Sequence, residues 1–464
     1  MSDSTATKIP VALLRKYDRP GPRYTSYPTA PIWSEAVGAA KYTGALKRAS
    51  SRSDQPLALY CHIPFCKQRC FYCGCTTCVT NNMDSVATYV DRLLTEIVCV
   101  ADSLGDRTQV SQLHFGGGTP TFLDIDGLGR ILDGLEKRFS FRSGCERSIE
   151  IDPRVTTEEQ LEYLAGRGFN RISLGVQDFD EAVQRAIGRI QPIELVARIL
   201  EVGRRLAFRG INFDLIYGLP KQSVESFTTT LDEVIHLRPD RLAVYSFAYL
   251  PTVRANQSKI DERDLPTAEV KYQLFSAAVE KFTAAGYRQI GMDHFALPDD
   301  ELSLAQIDGR LHRNFMGYTV QSAPEMIGFG MSSIGYVADA FFQNQAKLDS
   351  YKDAVADSGW AVYRGMQLSR EDLIRQYVIT SLMCNFRLDY ARFAERFGKS
   401  YRDHFVSEHS QLAEFVADGL LVEDEHGLTI TELGRTFVRN IAMAYDAYLT
   451  ESSPGKKVTF SRTI

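Results

Sequence analysis

The sequence predicts an α/β fold: a parallel sheet wound with helices, preceded by an N-terminal arm and followed by a mainly helical C-terminal domain. Three observations predict it. Short apolar runs recur from Leu57 onward with amphipathic stretches between them. After about residue 365 the runs give way to helical patterning. Five cysteines crowd the segment just after the first run, where a strand-end loop would carry a site.

Residues 1–50 are rich in Pro, Ser, Tyr and Thr and read as an arm with little regular structure. The runs that follow are LALYCHI, VSQLHFGG, SIEID, RISLGV, INFDLIYG, RLAVYSFAY and YRQIGMDHF. They suit buried parallel strands, which need not alternate polar and apolar residues. Between them, Val86, Val90, Leu93, Leu94 and Ile97 share one helical face, as do Leu195, Ile199, Val202 and Leu206. Thr156 with Glu159 has capping-box spacing, and Pro192 suits a first helical turn. Right-handed crossovers wind such a chain into a parallel barrel or an open sheet, and the runs alone do not decide between them. No Gly-x-Gly-x-x-Gly follows the first strand, which disfavours a dinucleotide-binding domain. Leu373, Ile374, Tyr377, Val378, Ser381 and Leu382 read as a helix, and Gly419 to Thr431 as a hairpin around His426-Gly427. The expected division is an arm over 1–50, a catalytic domain over 51–364 and a mainly helical domain over 365–464.

The 464 residues are 44% hydrophobic and 24% charged, which is ordinary for a globular protein. A net charge of -5 disfavours a general nucleic-acid binder, since phosphate recognition needs a cationic face. No run approaches the roughly 18 apolar residues of a membrane helix, and neither a secretory signal nor a lipidation motif is visible. The expectation is a cytoplasmic protein that uses neither membrane nor nucleic acid. Nine cysteines are an odd count, which argues against a fully paired disulfide scaffold.

Cys66, Cys70 and Cys73 have the spacing C-x3-C-x2-C, with Cys75 and Cys78 close behind. Thiolates suit iron–sulfur clusters, zinc and copper. Three on one loop can hold three irons of a cubane and leave the fourth open to a cofactor. The competing reading is structural zinc, held by Cys70-x2-Cys73 and Cys75-x2-Cys78. Those knuckles are one residue apart, too close for most two-knuckle folds. Cys61, Cys99, Cys145 and Cys384 lie in apolar surroundings and read as ordinary buried cysteines. Three glycines in His114-Phe115-Gly116-Gly117-Gly118-Thr119-Pro120 let backbone approach a ligand. Glu150, Gln177 and Asp214 fall at the ends of successive strands, where carboxylates and amides read together as a site. Asp152 is expected on the opposite face from Glu150.

The three-cysteine loop with Tyr72 before Cys73 resembles the radical S-adenosylmethionine (SAM) superfamily. The arm RYTSYPTA, YCHIPFC, the CGC extension, GGGTPT, IEIDPR, SLGVQDFD, DLIYGLPKQ, GMDHFA, HRNFMGYT, NFRLDY and the terminal FSR resemble, more narrowly, the oxygen-independent coproporphyrinogen III oxidases (dehydrogenases) of bacterial haem synthesis. The resemblance runs from about residue 20 to the end. It implies a partial parallel (β/α) barrel and a [4Fe-4S] cluster on Cys66, Cys70 and Cys73. It also implies two SAM molecules per site. The first is contacted by Tyr60, Gly117, Glu150 and Ile334; the second by Tyr72, Gly118, Thr119, Gln177, Arg189, Asp214 and Ala248. Some relatives carry Phe where this chain has Tyr72. Cys75 matches a family cysteine that is not a ligand, and Cys78 has no assigned counterpart.

The implied reaction takes coproporphyrinogen III to protoporphyrinogen IX. An electron from a reduced donor cleaves SAM, the 5′-deoxyadenosyl radical takes a hydrogen from a propionate β-carbon, and loss of carbon dioxide leaves a vinyl group, twice over. The implied enzyme is a monomer. Arg23, Arg310, Arg313 and His294 are candidates for the substrate carboxylates, with Arg310 and Arg313 flanking His312. A haem-binding trafficking sibling shares the cysteine loop, but typically lacks the CGC extension and the tyrosine-rich arm present here.

Overall fold

The computed structural model describes residues 10–320, 323–450, 460 and 462–463. Ser461 of the terminal FSR lies outside the described residues. The chain forms two compact units, one of Trp33–Leu274 with Gln321–Gln367, the other of Met1–Ile32, Phe275–Val320 and Leu368–Ile464.

The larger unit is built on β1 (Leu57–Ile63), β2 (Gln109–Gly117), β3 (Ser140–Ile151), β4 (Arg171–Gln177), β5 (Gly210–Tyr217) and β6 (Arg241–Ser246). It is completed by β7 (Glu325–Phe329), β8 (Ile334–Val337), β9 (Ala340–Asn344) and β10 (Val362–Gln367). Their order is β10-β9-β8-β7-β1-β2-β3-β4-β5-β6. Neighbours from β7 to β6 are parallel, and β8, β9 and β10 are added antiparallel. The order is linear, so the parallel strands make an open, partial barrel, the outcome that the apolar runs alone left undecided. Helices Met83–Leu104, Ile125–Glu136, Glu158–Gly166, Ile193–Arg205 and Val224–Leu237 lie on the connections between successive strands from β1 to β6. The central strands β1 and β2 are nearly all buried, β1 with every residue but Tyr60, as parallel strands covered on both faces must be.

The helix Met83–Leu104 buries Val86, Val90, Leu93 and Ile97 as its periodicity predicts. It also buries Glu96, which accepts from Gly330 N–H at 2.8 Å, Asn344 Nδ2 at 2.6 Å and Tyr351 O–H at 2.8 Å. The capping box lies one residue later than its expected place, at Thr157 and Gln160. Thr156 is instead buried, its hydroxyl bonded to Asp152 O and Thr121 Oγ1. Pro192 is the residue before the helix Ile193–Arg205 rather than inside it. The arm also departs from expectation, because it carries the helices Val11–Tyr17 and Ala39–Ala49. In the latter, Tyr42, Ala45, Leu46 and Ala49 are buried at i, i+3, i+4 and i+7, a stripe half of which is alanine.

The smaller unit is mainly helical, with Arg370–Asn385 as its longest helix beyond residue 365. Its arm residues are tied to its C-terminal helices: Tyr24 O–H donates to Asp446 at 2.9 Å, Asn440 Nδ2 to Tyr17 O at 2.8 Å, and Gln376 Nε2 to Tyr27 O at 2.9 Å. The hairpin expected at 419–431 is present as Leu421–Glu423 paired antiparallel with Gly427–Ile430. The run YRQIGMDHF is not one parallel strand. The chain turns over Gly291–Asp293, and Arg288–Ile290 pairs antiparallel with His294–Ala296.

Candidate active site

Tyr60 in the middle of β1 and Gly117 and Glu150 at the C-terminal ends of β2 and β3 come together. Glu150 accepts from Gly117 N–H at 3.0 Å and from His114 Nε2 at 3.4 Å, and the Tyr60 ring stacks on His114 with centroids 5.8 Å apart. His62 Nε2 lies 3.0 Å from Thr76 O, and only an N–H can bond a carbonyl. Its Nδ1 is therefore the acceptor for Tyr60 O–H at 2.9 Å. Burial lowers the His62 pKa, which keeps the ring in this neutral form. Burial works against the Glu150 carboxylate, yet the His114 hydrogen bond, the His114 charge and the Gly117 N–H together hold its pKa below the usual value. The Glu150 side chain nonetheless keeps 45% exposure. A carboxylate both surrounded by protein and open to solvent lines a cleft. Ile334, at the start of β8, sits across Gly328 from this group: Gly328 is the register partner of Tyr60, and a Cβ on it would lie 2.6 Å from Ile334 O.

The glycines are required by close approach. Gly117 has φ +119°, and a Cβ there would lie 2.6 Å from the His62 ring. A Cβ on Gly118 would lie 2.6 Å from Pro64 O, whose segment leads into the cysteine loop. Thr119 Oγ1 reaches Cys66 Sγ at 3.6 Å.

All nine cysteines are free thiols. Cys70 is approached by two guanidiniums, Arg154 Nη2 at 3.5 Å and Arg189 Nη1 at 3.7 Å. Both also bind Asp152, Arg154 Nη2 at 2.6 Å and Arg189 Nη1 at 2.9 Å. Burial raises the Asp152 pKa, but the Arg154 hydrogen bonds and the Arg189 charge outweigh it and leave the value lowered. Asp152 thus belongs to the site. The expectation that it faces away from Glu150 is corrected: residues two apart in a regular strand share a face, and β3 itself ends at Ile151. Arg189 Nη2 also donates to Gly175 O at 2.7 Å, and its Nε is buried without a hydrogen-bond partner. The Cys75 thiol donates to Cys73 and brings the Cys73 pKa down to about 6, while burial pushes Cys66 up to about 11. Cys61, Cys145 and Cys384 are buried and Cys99 is half-buried.

Gln177, at the end of β4, has φ +69°, and its amide flanks Gly175 together with Arg189. Asp214 is in the middle of β5 and not at its end; it accepts from Ser173 O–H at 3.0 Å and Asn212 Nδ2 at 2.8 Å, and is the register partner of Gly175. Tyr72 and Ala248 are linked through Gln257, whose Nε2 donates to Tyr72 O at 3.0 Å and Ala248 O at 3.1 Å.

A model of the radical SAM superfamily matches residues 60–234, and a model of the HemN C-terminal domain matches residues 368–437. The oxygen-independent coproporphyrinogen III oxidase of Escherichia coli (strain K12) is 45% identical over 454 residues, 98% of this chain and 98% of that one. Its Helicobacter pylori counterpart is 40% identical over 451 residues, 97% of this chain and 98% of that one. This chain belongs to the oxygen-independent coproporphyrinogen III oxidases. The solved structure of the Escherichia coli coproporphyrinogen III oxidase (HemN), described as a radical SAM enzyme, matches with a TM-score of 0.91 at 43% identity, covering 96% of this chain and 100% of that one.

Membership of the radical SAM superfamily implies a [4Fe-4S] cluster and SAM. Among the described residues, no three His, Cys, Asp or Glu side chains are gathered closely enough to hold a single metal ion. Ligands of a cubane bind separate irons and stand further apart. The fit therefore rests on the donor set, and the donor set suits the cluster: soft thiols on one loop, none in a disulfide, with the guanidiniums of Arg154 and Arg189 beside Cys70.

Sequence reasoning missed His62, Arg154, Asn256 and Gln257. Two of them carried a signal: His62 lies within the YCHIPFC motif and Arg154 ends IEIDPR. The candidate carboxylate-binding residues lie in the smaller unit. There Arg23 Nη1 is 3.9 Å and His294 Nδ1 2.7 Å from Asp293, and Arg313 donates to Arg23 O at 3.2 Å with its guanidinium over Tyr318. Arg310 is exposed and paired with Asp308 at 2.7 Å, and His312 is on the short strand His312–Asn314. Among the described residues no helix is long and apolar enough to cross a membrane.

Proposed function

We propose that this chain converts coproporphyrinogen III to protoporphyrinogen IX by oxidative decarboxylation of two propionates to vinyl groups, a step of haem biosynthesis. The observation that carries the reading is family membership, at 40–45% identity over nearly the whole chain. In this reading Cys66, Cys70 and Cys73 hold the [4Fe-4S] cluster. When bound, the cluster supplies the electron that cleaves SAM to a 5′-deoxyadenosyl radical.

The chain's residues bind and orient. Tyr60, Gly117, Glu150 and Ile334 take one SAM. With its proton given to His62, Tyr60 keeps both hydroxyl lone pairs for a cationic amino group, and Glu150 has lone pairs left for ribose hydroxyls. Tyr72, Gly118, Thr119, Gln177, Arg189, Asp214 and Ala248 take a second. The Arg189 Nε, buried with no hydrogen-bond partner among the described residues, and the Gln177 amide beside Gly175 support that assignment. We assign catalysis to a monomer in the cytoplasm, fed by a reduced one-electron donor. The division at 1–50, 51–364 and 365–464 is supported by family models that match within its second and third segments.

The test is anaerobic turnover with coproporphyrinogen III, SAM and a reductant. Deoxyadenosine, methionine and a divinyl product are expected. Their absence from protein with an intact cluster would overturn the reading.

A further inference from the structure

We infer that Asn256 is a positioning residue for the cysteine loop: its amide clamps the loop backbone so that the ligand thiols stay gathered. The inference rests on the proposed ligand set. Between Cys70 and Cys73 the backbone makes a tight turn, Cys73 N–H donating to Cys70 O at 3.3 Å, and Phe71 N–H reaches out to Ile187 O at 2.9 Å. Carbonyls are obligatory acceptors, and a turn this short has no ladder to satisfy them.

The partners come from one helical turn after β6, Ala255–Lys259. Asn256 Nδ2 lies 3.2 Å from Cys70 O, 2.9 Å from Phe71 O and 3.0 Å from Cys73 O. An amide has two protons, so at least one is shared among these three carbonyls. The fourth carbonyl, that of Tyr72, is held by Gln257. Every carbonyl from Cys70 to Cys73 is therefore tied to two adjacent side chains about 185 residues downstream. Gln257 is fixed in turn, its Oε1 accepting from Leu250 N–H at 2.5 Å. Lys259, on the same turn, stands 5.0 Å over the Phe71 ring.

Groups that orient metal ligands without touching the metal typically set retention over about a tenfold to hundredfold range. The test compares iron release to a ferrous chelator, under anaerobic conditions, from reconstituted wild type, Asn256→Ala, Asn256→Asp and Ser258→Ala. Ser258 is on the same turn, but its exposed hydroxyl reaches only Ala255 O. Release is expected to be about tenfold faster in Asn256→Ala. It is expected to be faster still in Asn256→Asp, whose isosteric carboxylate has no proton to donate and faces three carbonyls. Asn256→Asp should also lower the cluster's midpoint potential, since added negative charge opposes uptake of an electron.

Ser258→Ala should match wild type in both measurements. A space-filling role predicts the opposite order, with the isostere milder than alanine. That order, wild-type release from Asn256→Ala, equal acceleration by Ser258→Ala or an unchanged potential in Asn256→Asp would each overturn the proposal. Asn256→Ser, which keeps a single proton, should fall between wild type and alanine, and it replaces Asn256→Asp if the carboxylate variant does not fold. Failure of the ligand assignment looks different: Cys70→Ala would then keep its iron at the wild-type level.

Discussion

Replacing Glu96 by Gln should change the pH dependence of stability in a way fixed by its surroundings. Glu96 is 2% exposed, with one carboxylate oxygen facing Gly330 N–H and Tyr351 O–H and the other facing Asn344 Nδ2. Burial is the largest influence and raises its pKa from 4.5 to about 7, against the pull of those hydrogen bonds. The folded state therefore binds this proton more tightly than the unfolded chain. The resulting stabilisation is full below pH 4.5 and is lost as pH rises to about 7. A shift of this size is worth about 3 kcal/mol in all, of which about 2 kcal/mol falls between pH 5.5 and 8.5. Gln carries no charge and loses this dependence. It does place an amide N–H against at least one donor, at a cost of about 1–3 kcal/mol.

Glu96→Gln should therefore be less stable than wild type at pH 5.5 and close to it at pH 8.5. At about 2 °C per kcal/mol, the Tm difference should close by about 4 °C across that range. Anaerobic thermal unfolding of both proteins in matched buffers measures it, and subtracting the two curves cancels the other titrating groups. Parallel curves, with a constant difference from pH 5.5 to 8.5, would refute the reasoning.

Single alanine variants of Cys66, Cys70 and Cys73 should lose cluster iron and sulfide, while Cys75→Ala and Cys78→Ala should keep them. Iron and sulfide per chain decide it, and a stable cluster in Cys70→Ala would break the assignment. Gly118→Ala places a Cβ 2.6 Å from the Pro64 carbonyl oxygen, backbone against backbone, so neither side yields cheaply. About 1–3 kcal/mol of stability and most SAM affinity should be lost; equilibrium binding and Tm both at wild-type values would contradict the close approach.

The six apolar runs from LALYCHI to RLAVYSFAY were legible as strands because strands buried on both faces leave a composition signal that needs no partner information. YRQIGMDHF has the same composition but pairs with itself, since pairing direction depends on the turn inside the run. The helix Ala39–Ala49 was hidden because only two large apolar residues, Tyr42 and Leu46, mark its buried face, the other two being alanines. The larger unit takes its last segment, Gln321–Gln367, from beyond an excursion into the smaller one, and only the tertiary contacts of β1 with β7 reveal that.

The site was legible where the chemistry is local and illegible where it is assembled. Three cysteines on one loop announce a metal by spacing, and three glycines announce a close approach. Asn256 carries no such signal, because a lone amide on a polar turn is ordinary until its three acceptors are located. Asp152 shows the same limit from the other side. Strand alternation puts residues two apart on one face, so Asp152 belongs on the side of Glu150, but alternation says nothing of the arginines it meets there. One residue past the end of β3, its carboxylate fixes two guanidiniums that would otherwise repel each other, and both then reach Cys70. Asp152 therefore acts on the cysteine loop without touching it. It turns two like charges into one cationic wall beside the Cys70 sulfur.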